Sequence, residues 1–146
     1  MEKDREEFSI FLIEDREEDI DITREALKET DMNCDMEVAK DGKVAIEKLR
    51  KKSDQKEAEL PDIILLDLNL PKMGGRKVME KLKEEDGLAP IPVIVLTVSK
   101  RDKDIARSYD SGAAGYITKP IDFQEFVKTL DVVNKYWSIS EVPNRN

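Results

Sequence analysis

The stretch Ile63-Ile64-Leu65-Leu66-Asp67, continuing as Leu68-Asn69-Leu70-Pro71-Lys72-Met73-Gly74-Gly75, decides how this chain is read. An apolar run with no polar alternation marks a strand covered on both faces, and one carboxylate closes it where the chain leaves the core. Three other runs end in the same manner: Ile10 to Ile13 before Glu14-Asp15, Ile91 to Leu96 before Thr97, and Tyr116 to Thr118 before Lys119-Pro120. Helix-length amphipathic segments lie between them. That alternation predicts an α/β domain whose parallel strands point their polar ends at one rim, where open sheets of this class bind ligands. Two adjacent acids, a third carboxylate, a hydroxyl and an ammonium are therefore expected to meet in one site.

Working outward, Phe8 to Ile13 reads as the first strand and Glu17 to Glu29 as a helix burying Ile20, Ala26 and Leu27. A short strand follows at Met36 to Ala39. Asp41-Gly42 turns into a second helix with Val44, Ala45 and Leu49 inward, and Ser53 to Leu60 reads as an exposed, mobile connection. Pro61 opens the strand that ends at Asp67, and the next helix is anchored by Val78, Met79 and Leu82. Pro90 and Pro92 frame entry to a strand at Val93 to Thr97. Ser99 with Asp102 resembles a capping box, opening a helix that buries Ile105, Ala106 and Tyr109. Gly112 and Gly115 bracket the turn into the fifth strand. Asp122 with Glu125 caps a last helix whose Phe126, Leu130 and Val133 fall on one face.

Composition narrows the function. A chain of 146 residues with 39% hydrophobic content supports one core and one domain. A charged fraction of 40% and a net charge of -8 argue against binding a phosphate backbone, so no nucleic-acid partner is expected. Cys34 is the only cysteine, which excludes an intrachain disulfide and fits a reducing cytoplasm. The charged Met1 to Glu7 segment lacks a signal peptide's apolar stretch, and no run is long enough to span a membrane. Absence of histidine excludes a phosphohistidine carrier, a Ser-His-Asp hydrolase and a His-ligated zinc site.

Glu14, Asp15 and Asp67 on neighbouring strand ends form a cluster of like charge that is costly without a divalent cation. Oxygen-only ligands favour Mg²⁺. Asp67 can attack phosphorus to give an acyl phosphate, with Lys119 as a point charge and Thr97 as a hydroxyl donor on the phosphoryl oxygens. Taken singly, each has a plainer reading: an acid capping the next helix, a solvated lysine, a β-branched strand residue. It is the conjunction that points to phosphoryl chemistry.

Glu14-Asp15, Asp67 within Leu66-Asp67-Leu68-Asn69-Leu70-Pro71-Lys72-Met73-Gly74-Gly75, Thr97 and Lys119-Pro120 together resemble the receiver domain of two-component response regulators over residues 8 to about 134. The resemblance implies a flavodoxin-like fold, a five-stranded parallel sheet in the order 2-1-3-4-5 with helices on both faces. It implies Asp67 as phosphoacceptor, Mg²⁺ held by Asp15, Asp67, Glu14 through water and the Asn69 carbonyl, and a phosphoryl grip by Thr97 and Lys119. Tyr116 matches the aromatic that swings inward when Thr97 is drawn to the phosphoryl group, and the Lys119-Pro120 bond would be cis. The implied partners are a sensor histidine kinase and a protein target or downstream relay domain, reached through the fourth helix, fifth strand and fifth helix. The Ser53 to Leu60 connection and Tyr136-Trp137-Ser138-Ile139 resemble stand-alone regulators paired with cyanobacterial phytochrome-type kinases.

Two positions depart from that pattern. Val98 stands where the family commonly has a small residue, and its bulk would gate access to Asp67. Gly74 replaces a common Asp and leaves one acid fewer before the third helix. On this reading residues 1–7 are a charged N-terminal segment, 8–134 the receiver and 135–146 a C-terminal tail too short for a DNA-binding domain. Tyr136, Trp137 and Ile139 offer an apolar contact either to a second copy, as a homodimer, or back onto the domain. Catalysis would be limited to self-phosphorylation and its reversal. The alternatives are a pseudo-receiver that docks without phosphorylation and a Mg²⁺-dependent phosphatase of haloacid-dehalogenase type. The latter usually needs a second acid where Asn69 stands.

Overall fold

The computed structural model describes residues 8–30, 33–55, 60–98, 105, 107, 109–119 and 122–139, with side chains as far as Lys135. Its strands are β1 (Phe8–Ile13), β2 (Cys34–Ala39), β3 (Ile63–Asp67), β4 (Val93–Thr97) and β5 (Gly115–Thr118). The helices described from end to end are α1 (Glu17–Glu29), α2 (Gly42–Asp54), α3 (Gly75–Glu84) and α4 (Phe123–Ile139). All neighbouring strands run parallel, in the order β2-β1-β3-β4-β5, as expected.

Strand side chains alternate between faces, so one sheet supplies two cores. Phe11, Ile13, Ile64, Leu66, Val93 and Val95 pack with Ala45, Leu49, Val78 and Leu82 of α2 and α3. Ile10, Leu12, Ile63, Leu65 and Leu96 face the other way, onto Ile20 and Ala26 of α1 and Phe126 and Leu130 of α4. Burying each Val, Leu, Ile or Phe side chain among them contributes about 1.5–3 kcal/mol. The order reverses between β1 and β3, which is where a doubly wound sheet opens a crevice at its carboxyl edge.

Several boundaries and faces differ from the sequence reading. β2 begins at Cys34 rather than Met36, because its first residues pair with Phe8 and Ser9. β3 begins at Ile63 rather than Pro61, after the Ser9 amide has taken the Asp62 carboxylate at 2.8 Å. Gly115 belongs to β5. Val44 does not face inward but is 37% exposed, and Ile46 fills the inner side of α2 instead. Leu27 is only half-buried, while Thr23 is buried and returns its hydroxyl to the Asp19 carbonyl at 2.9 Å. Ser53 and Asp54 are helical rather than part of a connection.

Around the predicted fourth helix, Ile105, Arg107, Tyr109 and Asp110 are helical where described. Tyr109 is not buried there but 48% exposed. Its proposed cap, Ser99 with Asp102, and Ala106 lie outside the described residues, as do positions 56–59 of the Ser53 to Leu60 connection, segments 1–7 and 140–146, and Pro120, where the cis bond was expected. The side chains of Tyr136, Trp137 and Ile139 also lie outside them. The last helix is capped as expected, Glu125 N donating to Asp122 Oδ1 at 3.0 Å. No helix among the described residues is long and apolar enough to cross a membrane.

Candidate functional site

Strand register assembles the site. Ile13 pairs with Leu66, Asp67 with Leu96, and Thr97 with Thr118. Glu14, Asp67, Thr97 and Lys119 therefore all lie at or one residue past the end of a paired strand. Backbone bonds hold that edge: Glu14 N donates to Ala39 O at 3.0 Å, Leu68 N to Leu96 O at 3.1 Å, and Lys119 N to Thr97 O at 2.7 Å. The polar residues are deeply placed, with Glu14 fully buried and Asp67, Thr97 and Lys119 buried beside it.

Beneath Asp67 the loop to α3 closes tightly. Gly75 N donates to Leu68 O, and a Cβ at Gly75 would lie 2.5 Å from the Asp67 carbonyl oxygen and 2.6 Å from Leu68 Cα. Only glycine permits that approach. Gly74 precedes it at φ 77 as the N-cap of α3 and supplies no side-chain cap. Asn69 N donates to Asp67 Oδ1 at 3.0 Å, fixing the carboxylate, while the Asn69 side-chain amide donates to Thr97 Oγ1 at 3.4 Å.

Charge is concentrated at Lys119. Its ammonium donates to Glu14 Oε1 at 2.7 Å and to Asp19 Oδ2 at 2.8 Å, and stands 3.7 Å from Asp67 Oδ1. Burial pulls this ammonium down, but the hydrogen bonds to Asp19 and Glu14 and the charge of Asp67 outweigh it and hold Lys119 above the ordinary lysine value. Burial is the chief force on Glu14 too: against the pull of Lys119, desolvation, the charge of Asp67 and a hydrogen bond with it push the carboxyl from 4.5 up to about 7. The Arg16 amide donates to Glu14 Oε2 at 3.3 Å.

Sequence reasoning missed Asp19. It is one of three acids in the first turn of α1, where any acid is favoured by the helix dipole. Only Asp19 turns toward the sheet edge: its side chain is 16% exposed, against 81% for Glu18 and 63% for Glu17.

Glu14, Asp15 and Asp67 can each direct one oxygen so that all lie within 4.8 Å of one another. Three hard oxygens with no nitrogen or sulfur suit a divalent cation of the Mg²⁺ or Mn²⁺ kind. Such a charge would also offset the repulsion between the Glu14 and Asp67 carboxylates. The residues present therefore fit a metal. An open cleft of about 480 Å³ leads to them, lined by Asp15, Arg16, Asp19, Asp67, Asn69, Val98 and Lys119. Val98, 63% exposed, stands at its mouth. Tyr116 sits outside the cleft, half-buried against the core that includes Val95.

The family model for the response regulator receiver domain matches residues 10–131. Response regulator Rcp1 of Synechocystis sp. is 33% identical over 128 residues, 88% of this chain and 87% of that protein. A probable methanogenesis regulatory protein, FilR2 of Methanothrix harundinacea, is 34% identical over 130 residues, 89% of this chain and 83% of that one. Among solved structures, the phosphorylated cyanobacterial phytochrome response regulator RcpA superposes with a TM-score of 0.79 at 35% identity, covering 94% of this chain and 99% of that one. The Mn²⁺-bound form of Rcp1 gives 0.76 at 31% identity, with coverage of 94% and 99%.

Proposed function

Since this chain belongs to the response regulator receiver domain family, we propose that Asp67 is the carboxylate on which it accepts a phosphoryl group. The observation that carries the reading is the convergence of Asp67, Lys119, Glu14 and Thr97, buried together at one edge of the sheet. Burying that much charge costs several kcal/mol per unpaired group, which no structural need of a strand end explains.

In the forward step an Asp67 carboxylate oxygen attacks phosphorus and the bond to the donor breaks. For a phosphohistidine donor the imidazole nitrogen leaves with the electron pair and takes a proton from water; for acetyl phosphate, acetate leaves. Loss of the group is attack by water on the same phosphorus, returning the carboxylate and inorganic phosphate. Asn69 N–H keeps the Asp67 carboxylate oriented. The Lys119 ammonium, 3.7 Å from Asp67 Oδ1, balances charge on the phosphoryl oxygens, and the Thr97 hydroxyl donates to another. Asp15, Asp67 and the Asn69 carbonyl would hold Mg²⁺, with Glu14 acting through water; bound there, the cation would neutralise the transferring oxygens.

Tyr116 is the proposed switch, moving inward as Thr97 is drawn toward the phosphoryl group, and Val98 the gate that meters donor and water. Because the sequence has no histidine, the donor is a partner, a sensor histidine kinase, in the cytoplasm. Output passes through the face of the predicted fourth helix, β5 and α4 to a protein target, a relay domain or a second copy, with neither nucleic acid nor membrane as partner. The reading keeps the receiver at 8–134 and confines catalysis to loading and loss of the phosphoryl group. A phosphatase is disfavoured because Asn69 donates to Thr97 where a general acid would be needed; the intact acid set disfavours a docking module without phosphorylation.

Incubation with acetyl phosphate and Mg²⁺ is expected to add one phosphoryl mass that hydroxylamine removes and Asp67→Ala lacks. Turnover of small phosphate esters without an adduct, or an equal adduct on Asp67→Ala, would overturn the assignment.

A further inference from the structure

Lys119 has three N–H donors, and two of them are spent away from the proposed acceptor. Glu14 takes one at 2.7 Å and Asp19 another at 2.8 Å, while the 3.7 Å to Asp67 is beyond hydrogen-bond length. Asp19 is itself held, its Oδ2 also meeting Arg16 Nε at 3.3 Å. It lines the same cleft as Asp67 but belongs to the first turn of α1. Of the two carboxylates on Lys119, Glu14 is fully buried while Asp19 is 16% exposed and stands on the cleft side.

We propose that Asp19 is a positioning residue for phosphoryl transfer: a carboxylate that draws the Lys119 ammonium toward α1 in the unphosphorylated chain, and so sets how much of that charge reaches Asp67 and its phosphoryl group. The rate part of this inference rests on Asp67 being the acceptor. A phosphoryl group on Asp67 must compete with Asp19 for one flexible ammonium. Removing the Asp19 charge tilts that competition toward Asp67, and Asp19→Glu retains it.

Two measurements test this. In crystals of metal-free Asp19→Asn, the Lys119 Nζ to Asp67 Oδ1 separation, 3.7 Å in the native chain, is expected to close to within about 3 Å. With acetyl phosphate and Mg²⁺, Asp19→Asn is expected to load about three- to tenfold faster than the native chain, with Asp19→Glu close to native. In a Lys119→Ala background the same substitution should change the rate by less than about twofold. Simple relief of repulsion predicts instead an equal gain in both backgrounds, which would overturn the proposal, as would an unchanged rate and separation in Asp19→Asn. Should the native chain take up no phosphoryl group, Asp67 fails as acceptor, and the Lys119 position in metal-free Asp19→Asn still decides whether Asp19 holds this ammonium.

Discussion

Glu14 is the residue whose ionisation the site controls most strongly. Its carboxyl titrates at its ordinary 4.5 when unfolded and at about 7 when folded, raised mainly by burial. Between those values the folded chain binds more protons than the unfolded one, so this group makes unfolding easier as pH rises from about 4.5 to about 7, and adds no further slope above. Melts in chelator should therefore fall over that window in the native chain and be flatter in Glu14→Gln; equal slopes would contradict the account. Apparent Mg²⁺ affinity, which needs the ionised acid, should be about tenfold weaker at pH 6 than at pH 8 by calorimetry. At this scale Asp67, Glu14, Asp15, Thr97 and Lys119 were legible because each terminates an apolar run. Asp19 was not, because Glu17, Glu18 and Asp19 are chemically alike and only the phase of α1 against the sheet selects one.

Among the elements, the approach of α3 to the end of β3 is the tightest geometry bearing on Asp67. Gly75→Ala would put a methyl 2.5 Å from the Asp67 carbonyl oxygen, a backbone atom that cannot swing aside. We expect a loss of about 1–3 kcal/mol in denaturant unfolding, with slower loading from acetyl phosphate. A Gly75→Ala chain as stable and as fast as the native one would show that this contact does not position Asp67. Periodicity located the buried face of most helices, and it fixed β1, α1 and β4 at their observed ends. It failed at Val44, which lies five residues before Leu49 and so about 140° round the helix, whereas Ile46 is three residues before it. It also cut β2 short, because an edge strand alternates polar and apolar residues and its exposed Asp35 resembles a turn.

Over the whole molecule, one property of the sheet makes the site: parallel strands in the order β2-β1-β3-β4-β5 deliver carboxylates, hydroxyl and ammonium from positions 14 to 119 to one edge. That much followed from where the apolar runs stop. How Lys119 divides itself among Glu14, Asp19 and Asp67 did not, since it depends on angstrom-scale distances between side chains that no spacing in the chain encodes. The claim on which the account depends is the identity of the acceptor. Borohydride reduction of the phosphorylated chain converts an aspartyl phosphate to homoserine, and peptide mass mapping then locates it. The account predicts homoserine at position 67 alone; homoserine at position 15 or elsewhere, or an adduct that survives borohydride, would contradict it.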